Sequence, residues 1–394
     1  MADSNTIRRA QLLVVGAGPY ALATAALARE QGIEVAVLGR PMEFWREHMP
    51  AGMFLRSGPD WHLDASGVHT FAAFLEERGI APDDVDPIPI ELFLDYAEWF
   101  RQAKGIDVRE QFVSDLVSAD DGFEVTLEGG ERITADAVVC APGISHYLNF
   151  PDWASALQPG QATHSCNLVR FDELAGLRVL IVGGRQSAYE WAALIAAAGA
   201  DRVDIVHRHE VPRFERVSWK FIDPHVEATI NVPGYWRKLP QADRDAISRR
   251  FWEIGRLTLE HWLTPRLDCD RIHRWPATEV VHVTQRDGDG PLRVTLSGAQ
   301  RREVDHVLFA TGYRADLRRV PYLAGLSAEI ELADGYPVLD EACATSLPGL
   351  YVTGFSATRD FGPFFGFVRG CPAAGTLIVR DLLSRADGSR ARPA

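Results

Sequence analysis

The chain has 394 residues, 46% of them hydrophobic, and a formal net charge of −13. That length accommodates two domains with ample cores, and the acidic balance argues against nucleic acid or an anionic membrane as partner. Five cysteines (Cys140, Cys166, Cys269, Cys343, Cys371) stand far apart without a CxxC pair, which disfavours a disulfide framework and a dithiol redox centre.

The opening MADSNTIRRAQ has no apolar stretch of signal length, and no segment approaches the ~20 apolar residues needed to span a bilayer. The expectation is a cytoplasmic protein. Leu12–Val15 reads as a buried parallel strand leading into a glycine-rich turn. Gly16 permits the turn, and Gly18 lacks a Cβ, so a pyrophosphate can approach the backbone. Pro19 starts a helix running from Tyr20 to about Gln31, and Ala21 takes the third glycine position. Ile33–Leu38 is the next strand. It ends in Gly39-Arg40, where an acidic ribose ligand is the usual residue, so that contact must come from backbone or Glu43. For Arg40 the sequence leaves open a phosphate partner, an adenine stack or a solvated surface arginine.

After an irregular stretch, Arg40–Gly67, helical patterns cover His69–Arg78 and Ile90–Lys104. Val113–Val117, Phe123–Leu127 and Glu131–Thr134 read as an antiparallel meander with Asp-Gly and Gly-Gly turns. Ala137–Cys140 returns as an apolar strand ending in Ala141-Pro142-Gly143, and Phe150–Asp172 reads as linker. A second unit begins with the strand Val179–Val182 and Gly183. Arg185 stands where the backbone should approach a phosphate, placing a guanidinium where an anion would lie, and Ala188 keeps close strand–helix packing. His207 and Arg208 follow the strand Arg202–Val206. With no carboxylate there, a 2′-phosphate fits better than a free hydroxyl pair, which favours NADP over NAD.

An insertion, Val211–Leu267, carries a helical pattern at Gln241–Trp262; its Arg213, Arg216, Lys220 and Arg237 either grip an anionic group or form a solvated face. Val280–Thr284, Leu292–Leu296 and Val304–Ala310 supply a second meander and return strand. Gly349–Gly354 reads as a strand and Phe364–Leu383 as a helix, which together close the first domain; Ser384–Ala394 reads as disordered. The fold class is α/β: two Rossmann-like dinucleotide-binding domains with β-meander inserts and a helical insertion. The first is discontinuous, residues 1–160 and 335–394. The second is 161–334, with the insertion at about 211–267.

GAGPYALA, the APGISHYLNFP return, Gly160 and His164 as a GxxxH linker, and LFATGYR at Leu308–Arg314 together make nearly the whole chain resemble the single-component flavin monooxygenases. These include the flavin-containing, Baeyer–Villiger and N-hydroxylating enzymes, and LPQADRDAISRRFWEIGR in the insertion looks most like the N-hydroxylating branch. The linker's aromatic positions are Gln158 and Leu168 here. The resemblance implies FAD on the first turn, NADPH on the second, a flavin C4a-hydroperoxide as oxidant, O₂ and a small molecule as substrates, and oxygenation of nitrogen, sulfur or a ketone, with nitrogen favoured. With the acidic charge, no nucleic-acid or membrane partner is expected, and a homo-oligomer is left open. Around FAD it places Gly16, Gly18, Pro19, Tyr20, Gly39, Arg40, Trp45, Met53, Leu55, Arg56, Val113, Ala141, Gly143, Gly354 and Phe364. The last of these lies in Phe361-Gly362-Pro363-Phe364, expected to open the final helix toward the flavin. Around NADPH it places Gly183, Arg185, Gln186, Ser187, Arg208 and Arg314, although Gln186 and Ser187 could equally cap the helix. His146 and His164 are either acid–base or structural groups, and no catalytic residue is nominated. A flavin reductase on the same architecture and a flavoprotein with degraded sites are the competing readings.

Overall fold

The computed structural model describes residues 9–284 and 290–390. Two sheets, one mixed and one all parallel, carry the architecture. In the first, Arg9–Val15 lies between Val35–Leu38 and Arg132–Cys140, and Val108–Arg109 extends the edge. Leu12, Leu13 and Val14 are fully buried, so the strand, covered on both faces, reads as an unbroken apolar run. The helix Pro19–Glu30 packs its alanines against the final helix Cys371–Arg390; a Cβ on Gly375 would stand 3.3 Å from the Ala23 carbonyl oxygen.

Arg132–Cys140 is one strand, not the two expected from the sequence. No breaker separates Thr134 from Ala137, and the burial pattern passes from alternating to continuous along it. Its first half pairs antiparallel with Gly122–Leu127 and its second half parallel with Leu350–Val352. The first sheet therefore closes with a strand from near the C-terminus.

The second sheet runs Ile272–Trp275, Arg202–Val206, Arg178–Val182, His306–Phe309, Ala162–His164, all parallel. Its edge strand Ala162–His164 comes from the stretch read as linker. The second meander (Val280–Thr284, Leu292–Leu296, Arg301–Val304) forms a sheet of its own. The expected strand Val304–Ala310 is cut at Asp305, whose carboxylate accepts from the Arg178 backbone N–H at 2.8 Å and from its guanidinium at 2.7 and 2.9 Å.

Three other expectations shift. The insertion helix is Gln241–Arg256 and stops short of Trp262, because Thr258–Leu259 pairs with Arg213–Phe214. The final helix starts at Cys371 rather than Phe364. Pro363–Gly366 and Val368–Gly370 are short 3₁₀ turns, and the Tyr20 hydroxyl donates to the Phe365 and Phe367 carbonyls at 2.7 and 2.9 Å. Ser384–Arg390 continues that helix instead of being disordered, and 391–394 lie outside the described residues. Among the described residues no helix is long and apolar enough to cross a membrane.

Buried ionic contacts fix the loop between Leu55 and Phe71. Asp64 accepts from the backbone N–H groups of Ser66, Val68 and His69, and Lys104 lies 2.8 Å away, both side chains almost wholly buried. Burial pushes the Asp64 carboxyl up, but Lys104 and the N–H donors outweigh it and hold the pKa at about 2. Its contribution is present above the ordinary aspartate range and fades as pH falls toward 2. Lys104 also pairs with Glu30, so Asp64→Ala leaves the ammonium one carboxylate but removes the acceptor of three backbone N–H groups, and is expected to cost about 3 kcal/mol in chemical denaturation at neutral pH. A loss near the few tenths of a kcal/mol seen for exposed pairs would show the pair to be solvated.

Candidate functional site

The two glycine-rich turns have the same backbone. Gly16 has φ +112° and Gly183 φ +140°; a Cβ on either would fall 2.5 or 2.4 Å from the carbonyl oxygen of Ala141 or Ala310 on the return strand. Gly18 and Arg185, the N-caps of the two helices, match in ψ at −173° and are both extended. Arg185 thus fits the turn without strain, and only its side chain changes the site. A Cβ on Gly18 would meet nothing within 4 Å, since the space beyond it is open.

That space belongs to a cavity of about 870 Å³ between the two sheets. Gly16, Gly18, Pro19, Tyr20, Gly39, Arg40, Trp45, Met53, Leu55, Arg56, Val113, Ala141, Gly143 and Gly354 line it, as do Gln186 and Ser187 from the second turn. The remaining expected residues stand elsewhere. Gly183, Arg185 and Arg208 are outside this wall, the two arginines exposed at the surface. Arg314 lines a separate surface cleft with Asp316, Arg318 and Asp334. Phe364 is fully buried, edge-on to Trp236 at 6.1 Å, because the turn expected to aim it at a ligand is 3₁₀ and packs inward.

Several side chains are already engaged. Gly39 has φ +129° and presses on the first turn, with a Cβ site 3.3 Å from the Ala17 nitrogen, so an acidic residue would be strained there. Arg40 donates to Glu47 at 2.6 Å and lies over the Phe112 ring. Glu43 remains in the cavity wall, its pKa raised by burial and by Glu47. Arg56 spends its donors on Glu260 (3.0 Å) and on the Gly255 and Thr258 carbonyls (2.6 and 2.9 Å), fastening the first unit to the insertion.

His207 is a correction to the ribose expectation. Its ring is buried under Gly184, 2.9 Å from the Tyr189 hydroxyl, and burial with its neighbour His209 pushes its pKa down to about 4. It is a neutral packing group, which leaves Arg208 alone at that strand end. His164 accepts from the Cys166 N–H at Nδ1 and holds the Gly312 carbonyl with Nε2, and burial lowers its pKa. It is structural. His146 lines the cavity, its pKa lowered by burial and by Arg319. In the insertion, Arg216 pairs with Asp86, and Arg237 reaches the Leu339 carbonyl and Glu341. Neither of them lines the cavity. No cluster of three or more potential metal ligands occurs among the described residues.

Sequence reasoning missed three charged residues in the cavity wall, Glu128, Glu190 and Arg256. Glu190 is fully buried on the second-turn helix Gln186–Ala197; one oxygen accepts from the Phe54 N–H at 3.3 Å and Oε2 has no partner. Its signal was a lone acid on an otherwise apolar helix, QSAYEWAA. Burial raises its pKa to about 7 against the opposing pull of the Phe54 N–H, Arg266, Gln186 and Arg56. Gln186 accepts from the Glu260 N–H at 3.2 Å, while its Nε2 is also unpartnered.

A family signature described as pyridine nucleotide-disulphide oxidoreductase matches residues 13–233. The FAD-dependent urate hydroxylase of Xanthomonas campestris pv. campestris is 28% identical over 298 residues, 69% of this chain and 59% of that protein. The indole-3-pyruvate monooxygenase YUCCA1 of Oryza sativa subsp. japonica is 28% identical over 51% of this chain and 49% of its own length. The chain thus spans about three-fifths and about half of the lengths of these two relatives. The ornithine N-hydroxylase of Kutzneria sp. 744 superposes with a TM-score of 0.79 over 96% of this chain and 100% of its own, at 18% identity, a likeness of fold.

The unpaired acid sets a pH dependence. A carboxyl whose folded pKa is raised from 4.5 to about 7 costs stability as pH climbs through that interval, because the unfolded chain releases its proton first. Glu190→Gln should remove that decline and be the more stable protein above pH 7, by about 3 kcal/mol. Parallel stability–pH curves for the two proteins between pH 4.5 and 7 would show that Glu190 is charged in the fold.

Proposed function

The chain belongs to the pyridine nucleotide-disulphide oxidoreductase family, and from that premise we propose that it is an FAD- and NADPH-dependent monooxygenase that oxygenates a small molecule at nitrogen. One observation carries the reading: the first glycine-rich turn and the start of the helix that follows the second, Gln186 and Ser187, contribute to the wall of a single cavity, so two dinucleotides held at these places would meet inside it. Residues 1–160 and 335–394 then form the FAD domain and 161–334 the NADP domain, in keeping with the return of Leu350–Val352 to the first sheet.

The residues present fit FAD. The open space beyond Gly18 admits a pyrophosphate against the backbone N–H groups that begin the helix at Pro19, and Gly354 leaves room beside Tyr20. Bound FAD would accept hydride from NADPH and activate O₂. The chain's own part is binding and shelter. Trp45, Phe54, Phe355 and Phe367 exclude water, and Glu190 offers an unpartnered carboxyl to a polar group entering the cavity. Arg208, exposed at a strand end without a carboxylate, suits the 2′-phosphate of NADPH. Oxygenation at nitrogen draws on the fold shared with the Kutzneria ornithine N-hydroxylase along nearly the whole chain.

Anaerobic mixing with NADPH should bleach the flavin much faster than mixing with NADH. Readmitting ¹⁸O₂ with a panel of primary amines should place one labelled oxygen on nitrogen in an active member. Reduction without label in any amine, coupled instead to an added disulfide or electron acceptor, would make the protein a reductase. A colourless protein that ignores added FAD would mark degraded sites.

Gly18→Val separates fold from cofactor. The new side chain projects into open space, so the apo-protein should keep its Tm while FAD binding is lost. A flavin-replete Gly18→Val protein would contradict the first-turn assignment.

A further inference from the structure

Three arginines gather beside the second turn without an acid between them. The Arg185 guanidinium lies 4.4 Å from the centre of the Trp252 ring, on the insertion helix Gln241–Arg256. Arg256 follows Trp252 by four residues and so shares its face of that helix. It lines the cavity together with Gln186 and Ser187. Burial, then repulsion from Arg185 and Arg56, pushes the Arg256 pKa down to about 10; burial and Arg208 lower that of Arg185.

Elsewhere the protein neutralises its cavity-wall arginines, pairing Arg56 with Glu260 and Arg40 with Glu47. Among the described residues no such ion pair reaches Arg185, Arg208 or Arg256. Converging cations without a counter-charge destabilise the fold unless an anion completes them.

We propose that the insertion helix is part of the NADPH site: Trp252 holds the Arg185 guanidinium in place, Arg256 stands beside it, and the two arginines grip the dinucleotide's phosphate chain where the turn lacks its second glycine. The inference rests on the NADPH reading above. A diphosphate, with charge on both groups, suits two guanidiniums better than a single carboxylate would. Trp252 is a positioning residue, acting only through Arg185. The helix explains how a turn interrupted by arginine still serves a nucleotide: the missing backbone approach is replaced by side chains from an element outside the Rossmann unit.

The test uses FAD-loaded protein and calorimetric binding of NADP⁺ and of inorganic pyrophosphate. Arg256→Gln should weaken both by about tenfold to a hundredfold, with partial recovery in Arg256→Lys and unchanged FAD content. Trp252→Leu should weaken NADP⁺ by about threefold to tenfold in the wild type, yet have no further effect in an Arg185→Ala background, the non-additivity expected of a residue that acts through its neighbour. Unchanged NADP⁺ and pyrophosphate affinities in Arg256→Gln would overturn the proposal. So would a defect confined to amine-dependent oxygenation, which would assign Arg256 to a substrate carboxylate. Wild-type protein that binds pyrophosphate through Arg256 but not NADP⁺ would overturn the dinucleotide assignment and leave an oxyanion site standing.

Discussion

The organisation of this protein depends on a close backbone contact made twice. In each unit the first strand turns away at a glycine where a Cβ would collide with the carbonyl just past the return strand, Gly16 against Ala141 and Gly183 against Ala310. No side chain fits between them. The contact draws the carboxyl ends of two parallel strands together and forces the following helix to start beside the return strand. The cavity opens at those strand ends, as expected for open parallel sheets.

Around that cavity, polar groups are spent mostly on joining parts of the chain. Arg56 ties the first unit to the insertion, and Glu190 reaches from the second unit to the Phe54 backbone of the first. Both stand in the wall where two cofactors would meet. A substitution at either position therefore alters how the units sit on one another as well as what the cavity presents. The five cysteines are free thiols, four of them buried, and none offers a dithiol to the cavity.

Much of this was legible in the sequence, for identifiable reasons. Strands buried on both faces are continuous apolar runs, and the glycine turns announce themselves by spacing, so the two units and their order could be read directly. Boundaries decided by single tertiary contacts could not. Nothing local distinguishes Thr134–Ala137, where one strand runs through, from Val304–His306, where the pairing of Asp305 with Arg178 divides two. Ala162–His164 is too short to signal a strand and becomes one by lying beside His306–Phe309. Phe364 and Arg314 stand away from the cavity for a similar reason: Tyr20 captures the carbonyls that a helix at Phe364 would need, and Arg314, five residues past the strand His306–Phe309, lines another cleft. Arg256 was invisible because its importance comes from what the insertion helix lies over.

The strand Arg132–Cys140 has a consequence for the order in which the molecule comes into being. Its inner half is paired on one side by Arg9–Val15, but its other neighbour, Leu350–Val352, is synthesised some two hundred residues later. The second sheet needs nothing beyond Phe309. During synthesis the inner unit is therefore complete while the outer one still presents an open, apolar strand edge, the kind of surface that invites wrong pairings. The outer sheet is sealed only when the chain has passed all the way through the inner unit and come back.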